Sequence, residues 1–109
     1  MLSALWARVK AGESVEFRPR GDSMTPIIRS GQLVRVDPFD PEGVGLGDVV
    51  LVRVAGSTYL HLVKAVDKPR RRVQIANNHG RINGWAGFEK IAGRCTHVDG
   101  VARAVSAQR

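Results

Sequence analysis

Thr58-Tyr59-Leu60-His61-Leu62-Val63-Lys64-Ala65-Val66 is the stretch from which the fold of this chain is read. Its β-branched and aromatic content, set just after Gly56-Ser57, marks a strand. Side chains alternate faces along a strand. One face then carries Leu60, Leu62, Lys64 and Val66, and the other Tyr59, His61, Val63 and Ala65. Lys64 is the one ionisable group on the face expected to be buried. A free lysine titrates at about 10.4, so neutrality near pH 7 needs surroundings that disfavour the ammonium by about 4 kcal/mol, which full burial can supply. The plainer alternative is a stem lying on apolar surface with its head in water.

Working outward, Asp48–Val54 reads as the preceding strand, joined to this one by the hairpin turn Ala55-Gly56-Ser57. Ser14–Arg18 and Gln32–Asp37 form the first two strands, Val73–Ala76 the fifth and Lys90–Val98 the last. The segment 77–87 reads as a polar, glycine-rich loop, with Ile82 and Trp85 folding back on the core. Leu2, Leu5, Trp6 and Val9 have helical spacing, giving an amphipathic helix that ends at Gly12. Short strands with many turns predict a mostly-β, partly closed, coiled sheet carrying one short N-terminal helix. A single domain spans 1–109, with the helix in 1–12 and a flexible tail over 99–109.

Gly21-Asp22-Ser23-Met24-Thr25-Pro26 places a serine on a glycine turn. Thr25, Pro26 and Gly31 have the punctuation of a one-turn helix, with a cap, a first position and a stop. Free backbone N–H groups at such a place can hold a developing oxyanion. A serine needs an adjacent group to take its proton. His61, His79 and His97 are scattered along the chain and read as surface or structural residues, and Lys64, on an otherwise apolar strand face, is a candidate base for Ser23.

Taken in order, Gly21-Asp22-Ser23-Met24-x-Pro26, Gly31-Gln32-x-Val34-x-Val36, Gly47-Asp48-Val49-Val50 and Leu62-Val63-Lys64 resemble the LexA-like and signal-peptidase-like serine peptidase superfamily. These boxes run from Phe17 to Val66, and a weaker match continues through Ile75–Asn78 and Ile91–Arg94. The resemblance implies a Ser–Lys dyad, with Ser23 the nucleophile and Lys64 its general base, and Asp22, Ser23 and Met24 shaping the oxyanion and substrate position. It calls for no cofactor and no metal. Three departures stand out. Lys64 is followed by Ala65 where the family's lysine box often continues with arginine. Ala76-Asn77-Asn78 replaces the Gly-Asp-Asn of signal peptidases, and Ile82-Asn83-Gly84-Trp85 lies where they carry Asp-Ser-Arg, so a supporting carboxylate is missing.

Composition sets the outer bounds. Seventeen basic residues against ten acidic ones give a formal charge of +7 over 109 residues. The densest basic cluster, Lys68-Pro69-Arg70-Arg71-Arg72, reads as a solvated hairpin tip; contact of Arg70, Arg71 and Arg72 with nucleic acid or an acidic partner is the lesser reading. Cys95 is the one cysteine, so no intrachain disulfide forms, and with no run long enough to span a membrane the chain is expected in the cytoplasm. The expected substrate is a protein or leader peptide cut in trans, or the chain itself at Ala11-Gly12. The rival expectation is a non-catalytic module that pairs with itself or a partner through its last strand and the Arg70–Arg72 hairpin.

Overall fold

The computed structural model describes residues 2–104. In chain order the elements are α1 (Leu2–Lys10), β1 (Val15–Phe17), β2 (Val34–Asp37), β3 (Val49–Val54), β4 (Ser57–Asp67), β5 (Arg72–Ala76), β6 (Ile82–Gly87), β7 (Ile91–Val98) and β8 (Val101–Ala102). Short 3-10 turns precede β3 (Pro41–Gly43) and β7 (Phe88–Lys90). All strand pairs are antiparallel, in the order β1-β2-β7-β3-β4-β5-β6, with β8 folded back on β7. The architecture is mostly β with one N-terminal helix, and the sheet does not close into a barrel. No helix among the described residues is long and apolar enough to cross a membrane.

The middle of the sheet is β3, whose Val-Val-Leu-Val-Arg-Val sequence is apolar on both faces. Val49 and Leu51 enter one core cluster, together with Phe17, Val34, Val36, Leu60, Leu62 and Cys95. Val50, Val52 and Val54 enter a second, with Val63, Val73, Ile75, Phe88 and Ile91. A single flat sheet has no second layer to cover both faces. Here α1 covers the first face, docking Leu5 and Val9 into it. The second is covered by the sheet itself, because β6 curls back over β3, so that a Cβ on Gly84 would lie 3.1 Å from Val54 Cγ1. Bulges increase local twist and permit such a curl. They occur between β2 and β7, β3 and β7, β4 and β5, and β5 and β6.

The helix read from its spacing is present. Leu5 and Val9 are buried, Leu2 and Trp6 pack at its margin, and Gly12 turns the chain at φ +103°. Trp6 Nε1 donates to Lys90 O at 2.8 Å, and Ser3 Oγ meets Thr58 Oγ1 at 3.0 Å, which seats the start of α1 beside the start of β4. Burial pushes the Cys95 thiol upward in pKa, away from a reactive thiolate.

Three expectations need correction. Residues 82–87 form strand β6 rather than loop, and Ile82 and Trp85 are exposed on it instead of entering the core. Trp85 lies beneath the Arg72 guanidinium at 4.6 Å, an amphipathic contact that holds it at the surface. The segment after Ser23 forms consecutive turns with a cis Thr25–Pro26 peptide, not a helical turn. Finally, part of the expected tail is ordered. Val101 and Ala102 pair with β7, and Asp99 accepts hydrogen bonds from Leu33 N (2.8 Å) and Gln32 Nε2 (3.1 Å). Residues 105–109 of that tail lie outside the described residues.

Two carboxylates tie surface segments to the sheet. Burial alone would raise the pKa of Asp37, but hydrogen bonds from Ser14, Thr96 and Arg35 outweigh it and hold the carboxyl below its ordinary value. Asp99 is likewise lowered, by Leu33 N first and then Gln32. A carboxyl with a lowered folded pKa contributes stability above the unfolded value, about 3.9, and loses it as pH falls through the folded value. Unfolding midpoints in urea should therefore hold steady from pH 7 to 5 on account of these groups and fall below about pH 4, with Asp37→Asn removing part of that acid sensitivity. Separately, a Cβ on Gly93 would lie 2.5 Å from Asp37 O and 2.6 Å from Val9 Cγ1, where α1 meets β7 and β2. Gly93→Ala should cost about 1–3 kcal/mol in urea titrations, because neither backbone nor a buried valine can step aside.

Candidate active site

Ser23 lies in the turn between β1 and β2, and the β5–β6 loop clamps that turn. Asn78 N donates to Ser23 O at 2.8 Å, and Asn78 Nδ2 donates to Thr25 O at 2.7 Å. His79 Nε2 reaches Asp22 O at 2.9 Å and Thr25 Oγ1 at 3.2 Å. Asn77 Oδ1 closes its own loop by accepting from His79 N (2.8 Å) and Arg81 N (2.9 Å). The Asn77-Asn78 departure thus holds the serine turn in place. Short polar side chains suit this work, since they bond to nearby backbone that has no ladder partner.

The group beside Ser23 Oγ is His61, whose Nε2 is 3.3 Å away. His61 Nδ1 is 2.7 Å from Asn83 Oδ1. An amide oxygen only accepts, so the imidazole proton sits on Nδ1 and Nε2 keeps its lone pair for the serine hydroxyl. The Oγ–Nε2 separation is long, as is common before substrate tightens such a contact. Tyr59 stacks on the ring at 4.9 Å and 24°, fixing its plane. Burial lowers the His61 pKa below the ordinary 6.5, and the Asn83 hydrogen bond opposes this only in part. The imidazole is therefore neutral at pH 7.

Lys64 is placed elsewhere. Between β4 and β5, Val63 pairs with Ile75 and Ala65 with Gln74, so Lys64 is the extra residue of a bulge. It is exposed rather than buried among apolar groups, and it does not line the pocket at Ser23. The bulge also ends the expected alternation, since Val66 joins Val63 in the second core cluster instead of following Leu60 and Leu62. A second bulge does the opposite for Asn83. Ala76 pairs with Ile82 and Ile75 with Gly84, so Asn83 is the extra residue there, and it faces His61. Reading the histidines as structural missed His61. The available signal was its place on the strand that also carries Lys64, a few residues nearer the hairpin.

The pocket around this group has a volume of about 90 Å3. Met24, Ile28, Leu60 and Leu2 give it apolar walls, and Arg20 and Arg29 lie at its rim. Among the described residues, the backbone N–H groups of Ser23 and Met24 donate no hydrogen bond. Met24 is buried under the turn, while Asp22 is exposed and engaged through its carbonyl. No cluster of potential metal ligands occurs among the described residues.

The remaining candidates lie apart from the pocket. Ala11-Gly12 closes the C-terminal end of α1, with Ala11 N on Ala7 O and Gly12 N on Val9 O. Arg70 and Arg72 share Asp67 at 3.2 Å each, and Arg71 pairs with Glu42, so each hairpin arginine faces a carboxylate within the chain.

Comparison with curated proteins and with solved structures returned no match. A family profile described as Peptidase S24-like matches residues 2–86, which takes in α1, the Ser23 turn, His61 and Asn83. With a match over most of its length, this chain belongs to the Peptidase S24-like family.

Proposed function

We propose that the protein is a serine peptidase in which Ser23 is the nucleophile, His61 the general base and Asn83 the residue that orients it. The observation that carries this reading is the bridge made by His61, which meets Ser23 Oγ through Nε2 and Asn83 Oδ1 through Nδ1. The role that the family resemblance gives to Lys64 passes to His61, because a base must reach the proton it removes. A burial-lowered imidazole is poised for this work near neutral pH. Ser–His–Asp sites use a carboxylate as the third member, but an amide can also fix the tautomer, as asparagine does in papain-like Cys–His–Asn sites.

In this reading Ser23 Oγ adds to a peptide carbonyl carbon while its proton passes to His61 Nε2. The Ser23 and Met24 N–H groups receive the oxyanion. His61 then returns the proton to the leaving amine, and an ester to Ser23 remains. Water, deprotonated by His61, cleaves the ester and restores the serine. The substrate is a separate peptide rather than this chain. Ala11-Gly12 is tied into a helix cap, whereas a bond must lie extended to enter such a cleft.

Fluorophosphonate labelling, read by intact mass, should mark Ser23 in the wild type, be lost in Ser23→Ala and His61→Ala, and persist within about threefold in Lys64→Ala. Its rate should rise through one ionisation below pH 6.5 and level off by about pH 7. A rate that keeps climbing into alkaline pH and vanishes in Lys64→Ala would return the base role to the lysine. Asn83→Ala should slow labelling by about 10- to 100-fold and move the acid limb lower, since its hydrogen bond supports the protonated ring. Asn83→Asp should recover the rate with the limb moved upward. Prolonged incubation should leave Ala11-Gly12 uncut by mass spectrometry; a Ser23-dependent cut there would show that the chain processes itself.

A further inference from the structure

Arg8, Arg35, Arg70, Arg71, Arg72 and Arg94 each face a carboxylate of the chain. Arg18 and Arg103 donate to carbonyl oxygens, and Arg53 lies over the Trp6 ring. Among the described residues Arg81, Arg20 and Arg29 have no such partner, and of these the pocket at Ser23 takes in only Arg20 and Arg29. Both are exposed and both line the pocket at Ser23. Among the described residues, neither guanidinium has a hydrogen-bond or ion-pair partner. The one carboxylate of the same turn, Asp22, does not line the pocket and pairs with neither. Two uncompensated guanidinium groups thus border a cleft that holds Ser23, Tyr59 and His61 between walls of Leu2, Met24, Ile28 and Leu60.

We infer that Arg20 and Arg29 make this cleft select peptide segments that carry Asp or Glu beside the bond presented to Ser23. The inference rests on the peptidase reading for the word bond, but the recognition itself does not depend on catalysis. Arg20 and Arg29 line the same pocket as Ser23, so a segment lying over Ser23 comes within the field of both charges. Guanidinium groups match carboxylates in a planar, two-pronged geometry that a lysine does not offer. The long-range field agrees with this, since the net charge of +7 attracts acidic chains before contact. The pairs are exposed and screened by salt, so each contributes about 1.5- to 5-fold, and the two together about 2- to 25-fold. Substrates with lysine or arginine at the same places are disfavoured by like charge.

Binding to Ser23→Ala separates this inference from the peptidase reading. The probes are two fluorescein-labelled peptides built around Ala-Ala, identical except for Glu or Gln on both flanks, measured by anisotropy. At 20 mM salt the Glu peptide should bind about 2- to 25-fold tighter. The preference should collapse in Ser23→Ala carrying Arg20→Gln and Arg29→Gln, and shrink at 0.5 M salt. In parallel, the wild type should cut a proteome-derived peptide library with acidic residues enriched near the cuts. Equal binding of the two peptides, binding of neither, or a preference that survives removal of both arginines overturns the inference. So does tighter binding of an oligothymidylate of equal charge, which would assign the arginines to phosphates. A library left uncut while the Glu preference holds in Ser23→Ala refutes the peptidase reading and leaves acidic-peptide recognition standing.

Discussion

One extra residue in each of the two strands that flank β5 decides which polar groups gather at Ser23. In a perfectly paired β4–β5–β6 ladder, strict alternation would continue past Val63 and past Ile82. The bulge at Lys64 breaks it on β4 and turns that side chain out to solvent. The bulge at Asn83 breaks it on β6 and turns the amide toward His61. Bulges gather beside functional sites because they re-aim a side chain without moving the ladder on either side. Gly84, next in sequence to Asn83, accepts φ +139° and has room for little beside Val54, so the curl of β6 over β3 and the aim of Asn83 come from the same few residues.

This curl also explains how a short chain builds two cores. β3 is buried on both faces, and its alternate side chains feed separate clusters. The first is sealed by α1, the second by β6 and the turn at Phe88. His61 sits near the boundary of these layers, buried enough to be neutral yet open to the pocket through Nε2. The Ser23 turn has little regular structure of its own. Its position depends on the β5–β6 loop, whose Asn78 satisfies the carbonyls of Ser23 and Thr25. Unpaired backbone beside a cleft is tolerated only with such partners.

Charge is distributed with the same division. The hairpin arginines balance Asp67 and Glu42, and Arg94 lies against Asp48 and over Phe39. The excess positive charge that remains uncommitted at the pocket is what a passing peptide would meet. Membership in the Peptidase S24-like family is consistent with a cleft for peptide chains.

The strands at 48–54 and 58–66, the helix through Leu5 and Val9, the turn at Ser23 and the family itself were all legible in the sequence, because each rests on local periodicity, turn chemistry or ordered boxes. Strand β6 was not, since its glycines and polar residues have weak strand propensity and are held in place by pairing with β5. The partner of Ser23 was not legible either. Alternation counted from Thr58 favours Lys64 as the buried ionisable group, and nothing local announces that a residue will be skipped in pairing with β5. A bulge belongs to two strands at once, and Asn83 lies 22 residues from His61 along the chain. The sequence by itself determined that a serine would stand on a tight turn in a mostly-β domain; only the tertiary structure, through register, decided that a histidine meets it and that an amide meets the histidine.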